Sequence, residues 1–330
     1  MNLKTIFIYN LFSKYFIALN LIIFTYLSLV LYDLMILWFF LEITNFLFIC
    51  LLNYSMKNKK MIFFYFIIQM LSSFIIIFII SLNTLFLMNN YLHLILISGL
   101  LIKLSVPPFH FWLPAISTYM PWNMFFILLT LQKILPFYLL SFLKLQKLMV
   151  FIILISCSIV PPYFMLNWNN LKTIMAYSSI NQSGWMILLI TLKNIIWFKY
   201  FTIYTLIMLA LFTLFYYFKV FKHFSNFPLN LNILIFMFLL NLASMPPFSF
   251  FYLKWYSIFL AIMNNFNSII LIIMMISSFF MLYIYTSMLT NSLFFYKFKS
   301  KLMNFNFTIN IFFTLIAYLS LFASFLIIIF

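Results

Sequence analysis

Glu42 stands inside the apolar run Leu34-Met-Ile-Leu-Trp-Phe-Phe-Leu-Glu-Ile-Thr-Asn-Phe-Leu-Phe-Ile-Cys50, which has the length and character of a membrane-spanning helix. A charge at that depth opposes insertion by about 2.5–3.5 kcal/mol. The 330 residues hold only two carboxylates, Asp33 and Glu42, so half of the acid lies where it is most costly. Three lysines share this kind of setting. Lys103 lies in Leu100-Leu-Ile-Lys-Leu-Ser105, one helical turn before Pro107, and Lys133 lies in Leu128-Leu-Thr-Leu-Gln-Lys-Ile-Leu-Pro136, near the middle of its run. Lys254 follows Pro246-Pro-Phe-Ser-Phe-Phe-Tyr-Leu253. Desolvation opposes the charged form of a buried Lys and a nearby carboxylate favours it, so a Lys beside Glu42 has two accessible protonation states. Such coupled charges are what proton relays are built from. Proton or ion movement is the chemistry indicated. The sequence offers no nucleophile–base pairing, phosphate loop or ligand-spaced His and Cys set, and Cys50 and Cys157 are isolated in apolar spans.

Other titratable residues carry competing readings. Snorkelling, in which a long stem lets the ammonium reach the interface, fits Lys254 near a helix end better than it fits Lys133. His110 is either a proton relay or a helix-end histidine with satisfied hydrogen bonds. His93 and His223 read as loop or interface residues, and Asp33 as part of an interhelical turn.

These residues must be positioned by membrane helices. The chain is 68% hydrophobic and 6% charged, against about 25% charged in soluble domains, which excludes the soluble globular class. Apolar runs of about 20 residues are the unit of a helical membrane protein. Eleven are expected, at roughly 13–31, 34–53, 61–81, 92–112, 123–143, 148–166, 171–191, 197–218, 230–250, 267–290 and 307–329. The breaks between them are short, so residues 1–330 form one polytopic all-α membrane domain. No signal or transit peptide is expected, because Met1-Asn-Leu-Lys-Thr-Ile-Phe7 runs almost directly into apolar sequence. The net charge of +16 is assigned to topology rather than to nucleic acid, since most Lys fall in short loops. With eleven spans, eleven Lys lie on the N-terminal side and four on the other, and three lie within spans. The positive-inside rule then places the N-terminus in the cytoplasm or matrix.

Two of the three Pro-Pro pairs share their surroundings. Ser105-Val-Pro-Pro-Phe-His-Phe and Ser244-Met-Pro-Pro-Phe-Ser-Phe both read S-x-P-P-F-x-F. An odd number of spans separates them, so they are expected to run in opposite directions, the arrangement of an inverted repeat with Pro-interrupted helices at the transport site; the competing reading is an ordinary Pro kink, or a helix end at the interface, in two unrelated helices.

On these residues the chain resembles the NADH–ubiquinone oxidoreductase chain 2 family, mitochondrially encoded antiporter-like subunits of respiratory complex I. The likeness is carried by Leu41-Glu-Ile-Thr-Asn45, Lys103-Leu-Ser-Val-Pro-Pro-Phe-His-Phe-Trp-Leu-Pro114, Leu129-Thr-Leu-Gln-Lys-Ile-Leu-Pro136, Leu171-Lys-Thr-Ile-Met-Ala-Tyr-Ser-Ser-Ile-Asn-Gln-Ser-Gly-Trp185 and Pro246-Pro-Phe-Ser-Phe-Phe-Tyr-Leu-Lys-Trp255. The resemblance implies two inverted five-helix repeats, roughly 34–166 and 171–330, each with a discontinuous helix. It implies Glu42 and Lys103 as the coupling pair, Lys133 as the central relay and Lys254 as the exit-side or connecting group. It also implies an inner mitochondrial membrane location with a matrix-side N-terminus. Partners are then the other membrane-arm subunits and lipids such as cardiolipin. No cofactor is expected in this chain; NADH, FMN, iron–sulfur clusters and ubiquinone are expected on other subunits. Where relatives commonly have Gly, this chain has Ser105 and Ser244, read as drift in a Gly-poor sequence.

Two rivals stand beside this reading. A sister antiporter-like subunit usually carries an acidic residue and His shortly after the first Pro-broken helix, and Leu113-Pro-Ala-Ile-Ser-Thr-Tyr-Met-Pro-Trp122 has neither. A stand-alone proton/cation antiporter is expected to need more acidic residues than Glu42.

Overall fold

A segment that faces lipid must satisfy every backbone N–H and C=O internally, and a helix does so. A computed structural model of the protein describes residues 3–85, 90–167, 170–192, 195–217, 229–246 and 248–299, and every regular element among them is an α-helix. The described residues divide into two compact units, Met1–Lys144 and Leu145–Phe330. The first contains α1 (Leu3–Ser28), α2 (Leu34–Ser55), α3 (Lys59–Leu85), α4 (Asn90–Leu104), α5 (Trp112–Ser117), α6 (Trp122–Leu129) and α7 (Leu131–Phe142). The second contains α8 (Lys147–Leu166), α9 (Leu171–Thr191), α10 (Ile196–Tyr217), α11 (Leu229–Leu242), α12 (Ser249–Met263) and α13 (Ser268–Lys299).

Among the described residues, six stretches are long and apolar enough to cross a membrane: Leu34–Ser55, Lys59–Leu82, Trp122–Phe142, Lys147–Leu166, Ile196–Tyr216 and Ser268–Met288. Phe12–Ser28, Tyr91–Leu104 and Ser249–Met263 are shorter apolar helices. Large apolar side chains such as Phe16, Phe39, Phe78, Ile152 and Phe279 point outward, as a lipid-facing surface requires. The run expected at 307–329, His223 and Pro247 lie outside the described residues.

In the first unit, α7 packs against α1, α2 and α4, which gathers the elements bearing Glu42, Lys103 and Lys133. In the second, α8 packs on α9 and α13, and α12 lies against α9, α10 and α11.

Both S-x-P-P-F sequences fall at helix breaks, and the local geometry is the same. The Ser105 N–H donates to Ile102 C=O at 3.1 Å and Val106 N–H to Leu101 C=O at 3.1 Å. The Ser244 N–H donates to Asn241 C=O at 2.8 Å and Met245 N–H to Leu240 C=O at 3.1 Å. This paired arrangement is the Schellman helix end, which needs a left-handed residue. Ser105 has φ 56° and Ser244 φ 62°. Thus the two serines occupy a conformation that favours Gly, at a backbone cost. After each, Phe109 N–H donates to Val106 C=O at 2.9 Å and Phe248 N–H to Met245 C=O at 3.0 Å. The third pair, Pro161-Pro162, lies inside α8 without ending it. A Pro pair alone therefore does not break a helix here; the left-handed serine ahead of it does.

A further interruption was not anticipated from the sequence. The stretch expected as one span at 123–143 is divided at Thr130, with φ −113° and ψ −84° between α6 and α7. Lys133 sits in the first turn of α7, its N–H donating to Thr130 C=O at 2.9 Å.

The two glycines serve packing. A Cβ on Gly184 would lie 2.8 Å from Cys157 Cβ, where α9 meets α8, and one on Gly99 would lie 3.0 Å from Ile76 Cγ1, where α4 meets α3.

Candidate functional site

Glu42 from the middle of α2 and Lys103 from the last turn of α4 form an ion pair, with Lys103 Nζ 3.5 Å from Glu42 Oε1. Both are buried, Glu42 at 8% and Lys103 at 5% exposure, and Lys133 at 4%. Lys103 and Lys133 line one small cavity with Asn45, Tyr65, Gln69, Trp112 and Gln132. Its volume, about 10 Å³, matches the minimum for one water molecule. Leu41, Leu113, Leu128 and Pro136 complete the lining, so the polar groups of this cavity are set in an apolar wall. Sequence reasoning singled out the three charged residues, and the first unit brings them to one place.

The α4 break lies in sequence between two residues of this lining, Lys103 and Trp112. Interrupting a helix frees carbonyls that need partners, and Trp112 Nε1 donates to Ile102 C=O at 3.1 Å. Gln132 Nε2 donates to Thr44 C=O at 3.2 Å, tying α7 to α2 beside Glu42. His110 lies within the break, buried, with Nδ1 3.3 Å from Pro108 C=O and its ring 4.1 Å from that of Phe111. Asp33 sits in the turn before α2, where its C=O accepts from Leu37 N–H at 2.9 Å.

Lys254 belongs to the second unit. It is 2% exposed, so it does not snorkel within this unit. Its Nζ donates to Ser244 Oγ at 2.9 Å and lies 5.3 Å from the centre of the Trp185 ring. Around the α11 break, Gln182 Nε2 donates to Leu242 C=O at 3.2 Å and Tyr200 OH donates to Gln182 Oε1. Asn241 spans the break: Nδ2 donates to Ser249 Oγ at 3.0 Å, and Oδ1 accepts from Phe250 N–H at 3.0 Å. Each unit thus pairs a broken helix with a side chain that receives a carbonyl left at its end.

Comparison with known proteins places this geometry. The family described as NADH:quinone oxidoreductase/Mrp antiporter, TM, matches residues 32–281. An NADH-ubiquinone oxidoreductase chain 2 from Rhipicephalus sanguineus is 32% identical over 276 residues, covering 82% of this chain and 86% of that protein. The chain belongs to this family. The member from Artemia franciscana is 30% identical, covering 81% of this chain and 86% of its own length. Among solved structures, a chain of respiratory complex I from Thermus thermophilus with bound Aureothin shares the fold at TM-score 0.75 and 18% identity, over 85% of this chain and 70% of that one. A chain of the Mrp complex from Dietzia sp. DQ12-45-1b does so at TM-score 0.70 and 15% identity, over 78% and 56%. The family's matched region contains all four charged residues singled out above.

Sequence reasoning missed the groups that surround those charges. Asn45, Gln69 and Gln132 are uncharged polar residues on apolar helices, a weak signal taken singly. Trp185 and Ser244 become partners of Lys254 only when α9, α11 and α12 pack together.

Proposed function

We propose that the chain is a proton-translocating, antiporter-like membrane subunit of respiratory complex I. In this reading it lies in the inner mitochondrial membrane with its N-terminus on the matrix side, and couples NADH:ubiquinone electron transfer in other subunits to proton pumping. The observation that carries it is the buried Glu42–Lys103 pair beside a broken helix, with Lys103 and Lys133 lining one small cavity. When the cavity holds water, a proton leaving Lys103 has a path toward Lys133, and the position of Glu42 sets how firmly Lys103 holds it. Glu42 and Lys103 are the coupling pair, Lys133 the central relay and Lys254 the exit-side or connecting group. His110 is a secondary candidate at the break.

The finer architecture belongs to the same proposal: about eleven transmembrane helices in one domain, as inverted repeats at roughly 34–166 and 171–330. The serine-ended break built once in each unit supports it. Redox groups and ubiquinone are assigned to other subunits, and the partners to neighbouring membrane-arm subunits and lipids such as cardiolipin. Gentle solubilisation followed by native separation tests the assignment. The chain should migrate with a large complex that oxidises NADH; migration alone, with proton/cation exchange in vesicles, would mark a free-standing antiporter instead.

A further inference from the structure

We propose that the Ser244 hydroxyl is a positioning group for Lys254, holding its amine at the end of broken helix α11 in the place a carboxylate takes in the first unit. The inference rests on the relay role given to Lys254 above.

The two breaks share their backbone turn but differ in what they give the nearby lysine. In the first unit Lys103 meets Glu42. Residues 145–330 contain no Asp or Glu, so Lys254 has no carboxylate within its own unit. Among the described residues it meets the Ser244 oxygen at 2.9 Å and the Trp185 ring at 5.3 Å. Both are contacts that an ammonium makes well, one as a charge-assisted hydrogen bond and one through the ring's negative face.

The direction of the first contact follows from the ammonium, which can only donate. Ser244 donates its single hydroxyl hydrogen to Ala243 C=O, which leaves Oγ as an acceptor facing Lys254. The same donation recurs at the first break, from Ser105 Oγ to Leu104 C=O at 2.5 Å. The Ser244 hydroxyl thus has a backbone partner in the turn as well as the lysine. Its left-handed φ of 62° is a conformation Gly adopts without cost, yet Gly would supply no oxygen. The serine spends backbone strain at this position and gains an acceptor for the buried amine.

The test uses the assembled complex in sealed vesicles, reading protons moved per NADH oxidised for Ser244→Gly, Ser244→Asn and Lys254→Met. Gly suits the turn and removes the acceptor. Asn tolerates the left-handed region and restores a side-chain oxygen. Ser244→Gly should assemble fully and lower the proton yield or the coupled rate by about tenfold, the equivalent of about 1.4 kcal/mol, and Ser244→Asn should recover most of it. A purely structural role for Ser244 requires the reverse order, Gly at least as good as Asn. Unchanged pumping in Ser244→Gly, with Lys254→Met defective, would overturn this inference and leave the relay reading standing. Unchanged pumping in Lys254→Met would remove both.

Discussion

At the residue scale, the Glu42–Lys103 pair has two competing terms. Opposite charges about 4 Å apart attract by about 4 kcal/mol at an effective dielectric near 20, while desolvating each ion costs several kcal/mol. The pair is therefore a poor device for stability and a good one for a proton held near balance. Glu42→Gln removes the carboxylate paired with Lys103, and removing one partner of a buried pair costs about 3–5 kcal/mol. The variant should lose most coupled NADH turnover, whereas Glu42→Asp, which keeps the charge on a shorter stem, should lose less. Equal activity of the Gln and Asp variants in assembled complex would show that the charge is dispensable. These residues were legible because a charge in an apolar run stands out against its surroundings. The cavity's amides were not, since Asn45, Gln69 and Gln132 declare themselves only by facing the same lysines.

At the scale of elements, the positions of Pro pairs were legible and the cause of the breaks was not. S-x-P-P-F-x-F repeats visibly, but Pro161-Pro162 continues as helix while the other two sites end at serines of positive φ. The Thr130 interruption gave no warning, since Leu129-Thr-Leu131 reads as ordinary apolar helix. The glycines act at this scale too. With left-handed positions taken by Ser105, Ser244 and Asn265, both glycines remain for close helix contacts. Gly184→Ala should destabilise the α8–α9 contact by about 1–3 kcal/mol, as overpacking does, because the new methyl meets Cys157 Cβ at 2.8 Å. Adding Cys157→Gly removes that obstacle and should return much of the loss, less about 1 kcal/mol for glycine within a helix. Thermal inactivation of the single and double variants measures the coupling; additive losses would mean that the two helices do not depend on this contact.

At the scale of the whole molecule, composition alone identified a helical membrane chain, and charged residues in the spans pointed to ion movement. Among the described residues, six stretches meet the length and hydropathy of a full span, and one of them, Trp122–Phe142, is itself divided at Thr130. Other apolar segments end at breaks, and interruption shortens each continuous helix below a bilayer's thickness. An element count made by span length therefore differs from one made by helix, and the difference is concentrated at the polar sites: α4–α5, α6–α7 and α11–α12 all flank one of the buried lysines. The central claim is that a proton path runs through these lysines, with Lys133 at its middle. The most direct measurement is proton uptake into sealed vesicles containing the assembled complex with Lys133→Met, driven by NADH oxidation and compared with the unaltered complex. Removing a buried charge lowers the cost of insertion, so assembly should be preserved, while loss of a proton-transferring group should depress pumping and coupled turnover by about 100-fold or more. Normal pumping by a fully assembled Lys133→Met complex would contradict the account.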